Sequence, residues 1–233
     1  MTYDDIADYY VRFVDEALGN RNSILAQAHY GVLHRAGDVS GLVVCDMACG
    51  TGIMAATLAK TAQQVTGTDI SANFIAMADR RFQQNNLRFI HDDAQTLNKQ
   101  GDAHYDLVVS NMALMDIPDL SATLNAVHSV LKDKGRFVFS ITHPCFQSPH
   151  AGRVDIENGA VWQIYRYATE GKWHSQYPNG IRGQVGAHHR TLSTYINTLI
   201  NAGFMVENID EPVSKTVNKE IPAVMIISTK KTR

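Results

Sequence analysis

The apolar pattern of the chain changes period several times. Leu42-Val43-Val44-Cys45 is a short apolar run that stops at Asp46, the pattern of a buried parallel strand. Gly50-Thr51-Gly52 follows, and the apolar positions from Ile53 to Lys60 recur at helical spacing, so the first unit reads as strand, glycine turn, helix. Val65 to Thr68 predicts a second strand ending at Asp69-Ile70-Ser71, where Ser71 can cap a helix from Ala72 to about Gln84. Leu87 to Ile90 and Tyr105 to Val109 predict two more strands. A helix from about Asp119 to Leu131, stopped near Gly135, then leads into a fifth strand, Arg136 to Ile141. This alternation predicts an α/β fold, a parallel sheet with helices on both faces.

After Thr142 the pattern breaks. The stretch to about Ala187 is rich in Gly, Tyr and Trp and reads as an insertion after the fifth strand. A helix from about Ser193 to Asn201, capped by Ser193 and closed by Gly203, precedes two last strands, Phe204 to Ile209 and Ala223 to Ser228, joined by a polar loop containing Pro212. Residues 1–40 read as mostly helical, with Ile6, Tyr9, Tyr10, Phe13 and Val14 spaced to form one apolar face.

Composition narrows the class. With 233 residues, 45% hydrophobic and six prolines, the chain can bury a large core as one domain carrying an insertion. Lys and Arg number 21 against 23 Asp and Glu, a net charge of −2, so no general drive toward nucleic acid or anionic lipid exists and no nucleic-acid partner is expected. No apolar run approaches the roughly 18 residues of a spanning helix, and no basic segment leads into an apolar one at the start, so neither a membrane span nor export is expected. The odd set Cys45, Cys49 and Cys145 lacks a CxxC pair, which suits a reducing cytoplasm and predicts no disulfide framework and no zinc site.

The chemistry concentrates at Asp46-Met47-Ala48-Cys49-Gly50-Thr51-Gly52, where two glycines between strand and helix let backbone approach a nucleotide-like ligand. Asp69 ends the next strand, 17 positions after Gly52, where a carboxylate can accept from both hydroxyls of a ribose. Gly50-x-Gly52-x-x-Ala55 also satisfies the dinucleotide fingerprint, so a nicotinamide-dependent oxidoreductase competes. Asp46 weighs against it, because a carboxylate before the turn would face a pyrophosphate with like charge yet tolerate a cationic ligand such as S-adenosylmethionine (SAM).

Taken together, Val44 to Gly52, Gly67-Thr68-Asp69-Ile70-Ser71, Asp92-Asp93-Ala94, Tyr105 to Asn111 and Leu131 to Arg136 resemble the class I SAM-dependent methyltransferases, and most the small-molecule branch of the ubiquinone and menaquinone methyltransferases. The resemblance covers about residues 42–142 and departs at Ala48, where many members have glycine. It implies a Rossmann-like seven-stranded sheet whose last two strands form an antiparallel pair, with SAM as cofactor and methyl transfer to O, N or C of a small-molecule acceptor. It further implies that Asp46, Ala48, Gly50 and Gly52 surround the methionine part and that Asp69 takes the ribose. Ile70 packs on the adenine, Asp93 and Ala94 meet its amino group, and Asn111 and Met112 border the reacting centre. An RNA or protein methyltransferase is a further alternative, but Ser110-Asn111-Met112-Ala113 stands where many amino-directed nucleic-acid enzymes carry N/D-P-P-Y/F.

A base is needed only if the acceptor must lose a proton early, and His143, just after the fifth strand, is the candidate. Five of the ten histidines lie between 143 and 189. No HxH or HxxxH spacing with a nearby acid supports a metal. Residues 1–40 are expected as a helical lid, and residues 146–187 as a cap whose Trp162 and Tyr165, with His188 and His189, bind the acceptor. The same aromatic composition suits a homodimer interface, so both readings of the insertion stay open.

Overall fold

The computed structural model describes residues 2–157, 159–213 and 221–232. Its centre is a seven-stranded sheet of β1 (Val43–Met47), β2 (Gln64–Asp69), β3 (Leu87–His91), β4 (Tyr105–Asn111), β5 (Leu131–Thr142), β10 (Phe204–Asp210) and β11 (Val224–Lys231). The spatial order is β10-β11-β5-β4-β1-β2-β3, parallel except for β11, which runs antiparallel to both of its neighbours. The alternating pattern therefore predicts the sheet, and the antiparallel last pair follows the resemblance.

Successive residues of each central strand enter different cores, as the two-residue period of a pleated strand requires. Val44, Leu107, Val109, Val138 and Ile226 pack on the face of α2 (Ile24–Ala36) and α3 (Ile53–Leu58). Cys45, Val108, Phe137, Phe139 and Ile227 pack on the face of α5 (Leu120–Val130) and α7 (Leu192–Asn201). Each such side chain removed from water contributes about 1.5–3 kcal/mol.

Polar side chains set the helix starts. Ser71 Oγ accepts from Phe74 N–H at 3.0 Å at the start of α4 (Ala72–Arg81), and Asp119 accepts from Ala122 N–H at 2.8 Å at the start of α5. The cap of α7 is Thr191, not Ser193, because the Thr191 hydroxyl meets Thr194 N–H at 3.2 Å. Gly135 does not stop a helix: α5 ends at Val130 and β5 begins at Leu131 with a register shift, so Gly135 lies within the strand. The loop expected around Pro212 lies partly, at residues 214–220, outside the described residues.

The insertion is built of two hairpins. β6 (Ala151–Ile156) pairs with β7 (Gly159–Ile164), and β8 (Gly171–Trp173) pairs with β9 (Ala187–His189) across the short α6 (Ile181–Gln184). At the N-terminus, a short turn at Asp4–Ile6 leads into α1 (Ala7–Gly19). The single apolar face expected there is divided, since Ile6 is buried while Tyr9 and Phe13 are exposed.

The two turn glycines differ in purpose. Both have left-handed backbone, with φ of 51° at Gly50 and 79° at Gly52. A Cβ on Gly52 would lie 2.8 Å from Ala78 Cβ and from Phe89 Cζ, so Gly52 is the point where the start of α3 touches α4 and β3. Gly52→Ala is expected to destabilise the protein by about 2 kcal/mol or more in urea unfolding, through overpacking and positive-φ strain together. A loss under about 0.5 kcal/mol would show that neither constraint operates.

Candidate active site

In a parallel sheet the carboxyl ends of the strands share one edge, and ligands bind in the crevice outside it. Here that edge opens on a cavity of about 450 Å³ bordered by Ala48, Gly50, Asp69, Ile70, Asp93 and Ala94. A side chamber of about 60 Å³ lies beneath the glycine turn and is lined by Asp46 and His29. Tyr10, Ala48, Gly50, Asn111 and Met112 line both spaces, which makes them one branched site.

Asp69 organises the edge. Its Oδ2 accepts from Gly50 N–H at 2.8 Å and its Oδ1 from Ser71 N–H at 2.9 Å. Burial raises its pKa, with these two N–H groups pulling the other way. Each oxygen keeps a further lone pair for a ligand hydroxyl. Ile70 is 65% exposed beside it, so it serves no core and offers a flat apolar surface to the cavity.

Asp93 and Ala94 reach the cavity, and Asp93 Oδ1 already accepts from Gln95 N–H at 2.8 Å. The adjacent Asp92 is buried and shapes the loop by accepting from Asp93 N–H at 3.0 Å and Lys99 N–H at 3.1 Å. Asn111 Oδ1 accepts from the Ser140 hydroxyl at 2.8 Å, and that hydroxyl accepts from Met112 N–H at 3.0 Å. Ala48 and Met112 both adopt left-handed backbone, with φ of 55° and 58°, at the inner bend of the site.

Asp46 carries a strong electrostatic signature. It is 1% exposed, and its Oδ2 has no hydrogen-bond partner. Burial pushes its pKa up to about 8, with the Asp69 charge adding to the effect and the Ala55 N–H opposing it. An orphaned acidic oxygen facing a small chamber fits a cationic group and repels a phosphate.

The far end of the cavity gathers residues that the sequence pattern left scattered. Asp116, just beyond β4, accepts from the Tyr3 hydroxyl at 3.0 Å and from the Arg182 guanidinium. Burial raises the Asp116 pKa against the pull of Arg182. Burial also raises the Tyr3 and Tyr10 phenols, helped by the Asp116 charge, so both stay neutral. Lys172, Val185, Gly186, Ala187 and His188 complete this wall. The Arg190 guanidinium holds the loop beneath by donating to Leu114 O at 3.0 Å, Ile117 O at 2.6 Å and Pro118 O at 2.7 Å. Asp116 follows the strand end by five positions and could have been suspected from that place; Lys172 and Arg182 sit in the irregular insertion and gave no signal.

Several expected site residues lie elsewhere. His143 is 2% exposed and is not among the residues lining the cavity. Its Nδ1 accepts from Cys145 N–H at 3.2 Å, which makes Nε2 the N–H that donates to Glu211 at 2.6 Å and leaves no free lone pair for a substrate proton. His189 is buried, with Nε2 bonded to Tyr167 O at 2.8 Å. Trp162 is on β7, Tyr165 follows it and is 53% exposed, and neither lines the cavity. Gly52 is turned to packing. Of the four residues expected to bind acceptor, only His188 borders the cavity.

Comparison with known proteins agrees with this geometry. Residues 44–135 match the family described as a methyltransferase domain. A solved S-adenosylmethionine-dependent methyltransferase from Mesorhizobium loti superposes with a TM-score of 0.78 at 26% identity, covering 87% of this chain and 96% of that one. A candidate methyltransferase of Geobacillus sp. is 26% identical over 93% of this chain and 96% of its own. A ubiquinone biosynthesis O-methyltransferase of Sodalis glossinidius is 30% identical over 47% of this chain and 45% of its own. The chain is a class I SAM-dependent methyltransferase. Its cofactor is SAM, and the dinucleotide reading of the glycine turn is set aside.

The raised Asp46 pKa fixes the sign of a stability effect. The folded state holds this proton more tightly than the unfolded chain, so the charge of Asp46 adds no cost well below pH 4 and progressively more up to about pH 8. Asp46→Asn should therefore gain on the wild type as pH rises from 4 to 8, by at most about 1.4 kcal/mol per pH unit. Urea unfolding of both proteins at pH 5 and pH 8.5 checks this; a stability difference independent of pH would remove Asp46 as a buried titrating carboxyl.

Proposed function

We propose that the enzyme methylates a small molecule held between the strand edge and the β8–β9 hairpin. The observation that carries this reading is the single cavity running from Asp69 past Asn111 to His188, with the orphaned Asp46 oxygen in its side chamber. SAM, when bound, supplies an electrophilic methyl group on a sulfonium. Asp46 takes the cationic amino-acid end, Asp69 the ribose hydroxyls, Ile70 the adenine face, and Asp93 and Ala94 the adenine edge. The charge on Asp46 is then matched by ligand, which offsets its burial.

The acceptor lies against Tyr3, Tyr10, Asp116, Ile117 and His188. These walls orient it and exclude water, which is the larger part of what methyl transfer asks of a protein. Residues 1–40 act as a lid through Tyr3 and Tyr10. The cap is narrower than the whole stretch 146–187, because only its second hairpin contributes to the cavity. For a hydroxyl acceptor, His188 takes the proton. Burial lowers its pKa and the charges of Arg190 and Lys172 lower it further, so the imidazole is neutral and able to accept at pH 7.

A cytoplasmic setting agrees with three unpaired cysteines and with the absence, among the described residues, of any helix long and apolar enough to cross a membrane. The net charge of −2 supports a small acceptor over a nucleic acid.

Asp69→Ala should weaken SAM binding by at least about tenfold, since two hydroxyl donors lose a charged acceptor. Calorimetry checks it, and unchanged affinity would take Asp69 out of the site. Incubation with methyl-labelled SAM and a cell extract, followed by mass spectrometry, should reveal a labelled small molecule, and label found only in RNA or protein would overturn the small-molecule reading. His188→Gln should slow that labelling by about 10²-fold while SAM affinity holds, the usual scale for loss of a base. Labelling at the wild-type rate would leave His188 a wall residue only.

A further inference from the structure

β8 and β9 pair in a register that sets Lys172 directly opposite His188, and both residues line the cavity. The Lys172 ammonium thus faces an imidazole whose basicity it helps to depress, and the pair brings no counter-charge of its own. Neither takes part in an ion pair among the described residues, whose six pairs are Arg35–Asp210, Arg81–Asp15, Lys132–Asp106, His143–Glu211, Arg153–Asp155 and Arg182–Asp116. The acid at this end, Asp116, is occupied by Arg182 and Tyr3. Arg190 is committed to three backbone carbonyls. Asp116 and Arg182 cancel, the phenols are neutral, and positive charge is left in excess on this wall.

The opposite end carries the reverse sign. Asp4, Asp69, Asp92 and Asp93 border the main cavity there, and Asp46 lines the side chamber. The site is thus acidic where the cationic cofactor belongs and basic where the acceptor enters. A lysine on the wall of a cavity, with no ion-pair partner among the described residues, is open to a ligand that supplies the counter-charge.

We propose that Lys172 is the docking cation for a carboxylate on the acceptor, so that the substrate class is small carboxylate-bearing molecules. This rests on the methyltransferase reading of the cavity and names the chemistry of its second ligand. A carboxylate on the Lys172 ammonium gains a charge-assisted hydrogen bond and screens the ammonium from His188. It also restores basicity to the imidazole, since the Lys172 charge is one of the causes that depress it. Acceptor binding would then prepare the base. Lys172 acts as a specificity residue here, and His188 as the group that handles the proton.

The test uses protein saturated with S-adenosylhomocysteine (SAH), the demethylated cofactor, and three probes of one shape and different charge: benzoate, benzamide and benzylamine. Ligand-observed NMR at pH 7 should show benzoate binding at least about tenfold more tightly than benzamide, with benzylamine weakest. Lys172→Gln should abolish the preference, and Lys172→Glu should reverse it toward benzylamine. Both variants should bind SAH with wild-type affinity in calorimetry, which certifies their fold. Benzoate binding no more tightly than benzamide to the wild type, or a preference unchanged in Lys172→Glu, overturns the inference while SAM chemistry stands. Failure of the wild type to bind SAH is a separate result, which overturns the cofactor reading and this inference with it.

Discussion

Gly50 N–H and Ser71 N–H both donate to the Asp69 carboxylate, and the rest of the site hangs from this junction. The two hydrogen bonds, at 2.8 and 2.9 Å, tie the turn after β1 to the end of β2, and Cys49 N–H adds a third tie to Thr68 O at 2.8 Å. They hold the glycine turn open over the sheet edge and leave the chamber under it lined by Asp46. A carboxylate 8% exposed costs free energy to desolvate, as its raised pKa records, and two charge-assisted bonds to backbone offset part of that cost. The parallel topology makes the junction available, because adjacent strands joined by a crossover helix end side by side.

The same edge accumulates unpaired acid. Asp46, Asp69, Asp92 and Asp93 end three strands whose carboxyl termini converge, and without a cation the buried ones repel, Asp69 raising the pKa of Asp46. This is the usual relation between a binding site and stability: groups arranged for a ligand are poorly matched without it. At the opposite wall the protein supplies its own counter-charge. Asp116 receives Tyr3 from the N-terminus and Arg182 from the insertion, so two segments more than 170 residues apart in the chain close over the cavity at one carboxylate. The wall therefore depends on contacts of long sequence separation.

What the sequence determined by itself was whatever a short window of chain can encode. The strand-to-helix alternation, the glycine turn, the Ser71 cap and the edge positions of Asp46, Asp69 and Asp93 follow from period, turn chemistry and the rule that parallel strands end together. These features are local or topological, and each was legible without a neighbour in space. The same local reasoning gave an α7 cap at Ser193 and a helix stop at Gly135, where adjacent residues compete and only the realised hydrogen bonds and strand register choose between them.

The far wall of the cavity was decided by tertiary structure alone. Aromatic content marked the insertion as a cap, yet the aromatic residues Trp162 and Tyr165 belong to the first hairpin and its exit, outside the cavity lining, while Lys172, Val185 and His188 come from the second. His143 stands at the correct strand end, but pairing of β5 with β11 continues past it through His143 N–H to Ala223 O, and Glu211 and Cys145 occupy its ring. Which residue of an irregular segment reaches a cavity depends on hairpin register and on bonds such as Arg182 to Asp116 that span 66 positions. No periodicity encodes such distances, because the partners become neighbours only when the sheet has formed.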